Sequence, residues 1–195
     1  MQKTLVRYNA PCYIVFIVRY NVQNVKYKLN NRGRMDQKLA KSAEAVQKAL
    51  DQNGLECKVL EIPSSTRTAA DAAMSIGCDI SQIVKSLIFK TKETGKPVLV
   101  LASGPNRVDE KLIECHIGEA ITKADADFTR EITGFAIGGI PPIGHKQMID
   151  FIFIDQDLLN FDDIWAAAGT PNAVFCITSK ALLSVTNGKV ISVYQ

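Results

Sequence analysis

A chain of 195 residues, 47% hydrophobic and 22% charged, has the composition of a soluble globular protein with one domain and an extension, and no stretch approaches the ~20 apolar residues of a membrane span. Five cysteines, odd in number and without a CxxC pair, argue against a disulfide framework and for a reducing, cytoplasmic location. The net charge of +3 hides an asymmetry: residues 1–34 hold seven basic residues and no acid, leaving 16 basic against 20 acidic residues in the other 161. A protein that grips nucleic acid mainly through phosphates needs a basic body, so any nucleic-acid contact here is expected to be local and transient.

Residues 1–34 join a nine-residue apolar run, APCYIVFIV, to the segment RYNVQNVKYKLNNRGR. A signal peptide fits poorly, because Arg19 cuts the run short and no small-residue cleavage site follows; an organellar presequence fits the lack of acids but not the lack of serine. The composition changes at Met35, so the expectation is an atypical extension over 1–34, outside the native protein, and one domain over 35–195.

From Met35 the pattern is regular. Leu39, Ala43, Val46, Ala49 and Leu50 recur at helical spacing over 36–53, with Asn53-Gly54 as a stop. LECKVLEI (55–62) alternates as a strand, and SSTRTAADAAMSIG offers hydroxyl caps before a short helix closing at Gly77. IVKSLIFKT and PVLVLAS read as two strands joined by the turn KETGK. EKLIECHIG and DADFTREIT read as helices ending at glycine, and the segments from Met148 onward supply three or four further strands and one short helix. The irregular order of strands and helices predicts a single α/β (or α+β) domain built on a curved mixed sheet flanked by helices.

Nucleotide-loop and serine-hydrolase motifs are absent, and with only His116 and His145 present, neither a metal nor a cofactor is expected. Two features stand out instead. Lys85 lies in an apolar strand, IVKSLIF, where stripping water from an ammonium is costly unless a partner offsets it. TGFAIGGIPPIGH gathers Gly134, Gly138, Gly139 and Gly144 with Pro141 and Pro142. Glycines let a backbone approach a ligand closely and prolines hold the remaining N–H groups in fixed directions, so such a loop can bind a carbonyl oxygen; a merely tight connection between elements has the same composition.

The order VKSL (84–87), SGPNRVDEKL (103–112), TGFAIGGIPPIG (133–144) and AAAG (166–169) resembles the YbaK/prolyl-tRNA synthetase-associated domain family over roughly residues 40–190. The resemblance implies a mixed-sheet domain that hydrolyses wrongly charged aminoacyl-tRNA, here of the free-standing kind, meeting the 3′ acceptor end transiently and working alongside a synthetase. It implies that Lys85 sits near the terminal nucleotide, and that Gly138 to Pro142 is the family's GxxxP loop, with Gly139 among the amides for the developing oxyanion. It also implies that the ribose 2′-hydroxyl assists, so no dedicated general base is needed. Thr68, Ser86, Ser103, Gly104, His145 and Gly169 are the expected substrate-side residues, with Ser64 and Thr66 as further polar candidates; helix capping explains at least one of these hydroxyls equally well.

The sequence departs from the cysteine-specific branch of that family, whose tyrosine and aspartate align roughly with Leu60 and Val174. A small residue other than cysteine, such as alanine, serine, threonine or 2-aminobutyrate, is therefore the expected cargo, with proline tRNA among the carriers. Two other readings compete: a non-catalytic module of the same fold that binds a tRNA end or a protein, and a bland interaction domain whose glycine-proline loop is a turn.

Overall fold

The computed structural model describes residues 39–62 and 68–195. Residues 1–34 and the candidates Ser64 and Thr66 lie outside the described residues.

Helix α1, Lys41–Gln52, buries Ala43, Val46, Ala49 and Leu50 along one stripe and ends where Asn53 turns back onto the last carbonyls. The LECKVLEI segment is a strand only over β1, Val59–Glu61. Its first half is tied to α1 instead: Gln47 Nε2 donates to the Cys57 carbonyl at 3.0 Å and Gln47 Oε1 accepts from Val59 N–H at 2.9 Å. Helix α2, Ala69–Ile76, starts from a capping box between Thr68 and Asp71 and stops at Gly77 in the left-handed region.

The centre of the molecule is the hairpin of β2, Ile83–Thr91, and β3, Pro97–Ser103, in antiparallel register from Val84↔Ser103 to Lys90↔Pro97. Val98 to Ala102 are wholly buried, so β3 reads as a continuous apolar run because both its faces are covered. Around it come α3 (Glu110–Ile117), β4 (Ile121–Lys123), α4 (Ala126–Thr133), β5 (Phe151–Asp155), a 3-10 turn (Gln156–Asn160), β6 (Asp163–Ala167), β7 (Ala173–Thr178), α5 (Ser179–Thr186) and β8 (Lys189–Ile191). The eight strands form one mixed sheet in the order β1-β7-β6-β2-β3-β5-β8, with β4 attached to β2. The single α/β domain expected from the pattern is thus found, α5 is the short helix expected after Met148, and β4 is added to the element list.

One face of the sheet packs Val84, Ile88, Leu99 and Leu101 against Val46 and Leu50 of α1, Ile132 of α4, Leu182 of α5 and the segment from Phe135 to Ile149. The other packs Phe89, Val98, Val100 and Phe153 against Ile113 of α3. Each fully buried side chain of this kind contributes roughly 1.5–3 kcal/mol, so both faces hold β2 firmly.

One edge of β2 is interrupted. β3 lies along the first edge from Val84 to Lys90. On the second, β6 pairs with Ile83 and Val84, and β4 pairs with Phe89 to Thr91. Among the described residues, Lys85, Ser86 and Leu87 have no register partner on that edge.

Candidate active site

Strand alternation puts Lys85 on the α3 face with Leu87 and Phe89, and Ser86 on the opposite face with Val84 and Ile88. Lys85 is half-buried, and burial holds its ammonium below the ordinary lysine range while Asp155 pulls the other way. Its Nζ donates to the Asn106 carbonyl at 2.5 Å. The lysine therefore has partners within the folded chain itself.

Asn106 and Asp155, which the sequence reading left without a role, organise the surroundings of Lys85. Asp155 is fully buried at the end of β5, and its Oδ2 accepts from Ser103 N–H at 3.0 Å and from Asn106 Nδ2 at 2.8 Å. The signal in the sequence was an acid closing an apolar strand, FIFID, fifty residues from SGPNRVD; alone it reads as a turn residue. Ser103 is wholly buried with its hydroxyl donated to the Ser81 carbonyl at 2.8 Å, so it anchors the β3 end. Gly104 is there for space: a Cβ would fall 2.0 Å from the Ile80 carbonyl oxygen.

The glycine-proline loop is the second candidate region, and Phe135, Ile140 and Ile143 pack it on the opposite face of the sheet from Lys85, with Val84 and Ile88. Gly139 N–H closes a tight turn on the Ala136 carbonyl at 3.1 Å, and the Gly139 carbonyl accepts from Gly169 N–H at 2.8 Å. A Cβ on Gly139 would stand 2.8 Å from Thr170 N, and one on Gly169 would stand 2.6 Å from the Ser42 carbonyl. Gly139 thus lies against the Thr170 backbone, and Gly169 against that of Ser42, at distances that only glycine permits. Between Gly138 and Pro142 the Gly139 N–H is committed and the prolines carry none, so the N–H groups with no backbone acceptor among the described residues are those of Gly138 and Ile140. Pro142 is buried beside Ile140 and Ile143 and fixes the loop against the core.

His145 Nε2 lies 2.8 Å from the Pro141 carbonyl; that oxygen can only accept, so Nε2 carries the proton and the ring braces the loop. Burial pushes its pKa below the ordinary histidine value, favouring the neutral ring. The Thr68 hydroxyl accepts from Asp71 N–H at 3.1 Å, which accounts for it as a helix cap. Ser86 Oγ is buried without a hydrogen-bond partner among the described residues.

β6 links the two regions: its Ala166 pairs with Val84, the residue before Lys85, and its continuation reaches Gly169 on the clasped loop. A concavity of about 430 Å³ lined by His116, Met148, Phe151, Thr186 and Lys189 includes neither Lys85, the glycine-proline loop nor any of the expected substrate-side residues. The Cys78 thiol, pushed up to about 11 by burial and by Asp79, is neutral at pH 7 and a poor nucleophile.

The chain is similar to several known proteins. The chain is 30% identical over 149 residues to the uncharacterised protein YwhH of Bacillus subtilis (strain 168), covering 76% of this chain and 94% of that one. It is 37% identical over 95 residues to the proline–tRNA ligase of Limosilactobacillus fermentum, a match that covers 47% of this chain but 16% of the ligase. Among solved structures, a candidate trans-editing enzyme for prolyl-tRNA synthetase superposes with a TM-score of 0.77 at 43% identity, over 81% of this chain and 99% of that one. Residues 63–185 match the aminoacyl-tRNA editing domain family, and this stretch holds the lysine strand, the clasped glycine loop and the β6 link between them, so the chain belongs to that family.

Proposed function

We propose that this protein hydrolyses, in trans, the ester bond of mischarged aminoacyl-tRNA carrying a small amino acid, with proline tRNA as the carrier. The observation that carries the reading is a half-buried ammonium on an apolar strand, at a position with no register partner on one edge among the described residues, in a fold where β6 links that strand to a glycine loop whose Gly138 and Ile140 amides have no backbone acceptor among the described residues. A scaffold needs neither. The similarity to a proline–tRNA ligase and to a candidate trans-editing enzyme for prolyl-tRNA synthetase supports the choice of tRNA and a synthetase as working partner.

In this reading the acceptor end enters transiently, Lys85 meets a phosphate or the reacting ester, and the Gly138 and Ile140 amides receive the carbonyl oxygen as it gains charge. Water adds to the carbonyl carbon, the bond to the ribose oxygen breaks, that oxygen leaves as a hydroxyl, and the amino acid departs. Loss of one oxyanion donor commonly costs ~3 kcal/mol of transition-state stabilisation. The 2′-hydroxyl of the terminal ribose assists the proton transfer, in keeping with the family resemblance. Ser86 Oγ, buried on the glycine-loop face and unpaired among the described residues, is available to the attacking water there. The test is single-turnover release of amino acid from a panel of mischarged tRNAs by the full chain. Hydrolysis that disappears in Lys85→Met supports the reading. Stable binding of the tRNAs with no release by the unaltered protein would favour a binding module instead.

A further inference from the structure

The carboxylate of Asp155 does more than end a strand. As the residue before the 3-10 turn, it offers Oδ1 to Asp157 N–H at 3.2 Å, the ordinary duty of a cap. A cap needs one oxygen and no burial. Asp155 is fully buried, and its second oxygen is turned to the β3–α3 loop, where it takes Ser103 N–H and the Asn106 side chain. Asn106 Nδ2 also donates to Asp157 Oδ2 at 2.8 Å, and Tyr194 donates its hydroxyl to the same oxygen at 2.9 Å. The asparagine amide is therefore clamped between two carboxylates, and its main-chain carbonyl is the acceptor for Lys85 Nζ.

We propose that Asp155 is a positioning residue for deacylation: through Asn106 it fixes the main-chain acceptor that aims the Lys85 ammonium. The proposal rests on the reading of Lys85 as the cation that meets the substrate. Asp155 touches no reacting atom. The elements packed around Lys85 carry other charged or titratable groups: Asp79 before β2, Arg107 and Asp109 on the β3–α3 loop, Asp157 after β5, and Tyr194 in the C-terminal segment. Of these groups and Asp155, it is Asp155 whose field acts on the Lys85 ammonium.

The experiment compares the full-length chain with Asp155→Asn and Asn106→Ala in two measurements. The first is single-turnover deacylation of saturating mischarged tRNA as a function of pH. The second is an NMR titration of the Lys85 side chain in lysine-labelled protein, assigned by the signal missing in Lys85→Arg. In Asp155→Asn the Lys85 titration and the alkaline limb of the rate profile are expected to move together to lower pH, with the rate at neutral pH down about tenfold and tRNA binding changed much less. Asn106→Ala leaves the buried carboxylate in place and cuts the relay, so its rate is expected to fall about tenfold in a folded protein, with the Lys85 titration shifted less than in Asp155→Asn.

A Lys85 titration unmoved in Asp155→Asn, or a rate reduced by one factor at every pH in step with lost folded protein, overturns the proposal. If Asp155→Asn does not fold, an unchanged rate in Asn106→Ala overturns it. Should the unaltered chain release nothing from any tRNA while the Lys85 titration still follows Asp155, the deacylase reading falls and the control of the lysine by Asp155 stands.

Discussion

Lys85 was legible in the sequence because a lone ammonium interrupts a period-two apolar strand, but its surroundings were not, since Asp155 and Asn106 reach it from segments that only the fold brings near. This changes what its removal should do to stability. Lys85→Met takes a positive charge from the vicinity of a buried carboxylate that keeps its three hydrogen bonds, from Ser103, Asn106 and Asp157. The expected cost is about 1–2 kcal/mol, a drop of a few degrees in Tm by calorimetry, beside a loss of turnover of about a hundredfold or more. A much larger fall in Tm would make the lysine chiefly an ion-pair partner of Asp155. His145 gives a second expectation, in which the sign matters. Its folded pKa is lowered by burial, so over the window below the ordinary histidine value the unfolded chain binds more protons than the native one, and stability contributed by the neutral ring falls as pH falls. The difference in Tm between the native protein and His145→Gln should shrink between pH 7.5 and pH 5; a difference that stays constant or grows would show that the ring does not act as a neutral brace on Pro141.

Among the elements, the parts with local signals were readable: the KETGK hairpin, a hydroxyl cap before α2, and the helix stops at Gly77, Gly118 and Gly134. What was not readable depends on where elements end. β4 has three residues, too few to show a period, and the interrupted edge of β2 exists only because β6 stops pairing at Val84 and β4 begins at Phe89. The glycine-proline loop was legible as a special backbone, while the division of labour inside it required the hydrogen bonds. Gly138 has φ +92° with open space around an added Cβ, whereas an added Cβ on Gly139 collides with the Thr170 backbone. Gly138→Ala is accordingly expected to strain the loop by roughly 1–2 kcal/mol, leave tRNA binding nearly intact and lower single-turnover rates strongly, because the amide direction counts most in the transition state. Gly139→Ala is expected to part the Gly139–Gly169 clasp and to lower Tm as well as turnover. Equal losses of binding and turnover in Gly138→Ala would point to a docking loop instead of an oxyanion site.

At the scale of the whole molecule the question is which aminoacyl ester the site accepts. A synthetase discriminates poorly against a smaller amino acid, since each missing methylene yields only ~1–3 kcal/mol, and a second site that admits the small residue while excluding the larger one corrects this by sterics. The two positions aligned with the tyrosine and aspartate of the cysteine-specific branch, Leu60 and Val174, are direct register partners on β1 and β7, so the fold joins them at one spot and makes that spot aliphatic. Neither of these two side chains offers a polar group to a thiol. On the other side, the loop from Gly138 to Pro142 is stiffened by two buried prolines, braced by His145 and clasped to Gly169, so it cannot open cheaply for a ring. The expected order in parallel single-turnover assays on proline tRNA is therefore faster release of alanine, serine, threonine or 2-aminobutyrate than of cysteine, with prolyl-tRNA left essentially intact. Fastest cleavage of the cysteinyl ester would return the chain to the cysteine-specific branch despite Leu60 and Val174. Efficient cleavage of prolyl-tRNA would mean that the braced loop yields, and exclusion by a rigid backbone would have to be given up even if the deacylase activity itself stood.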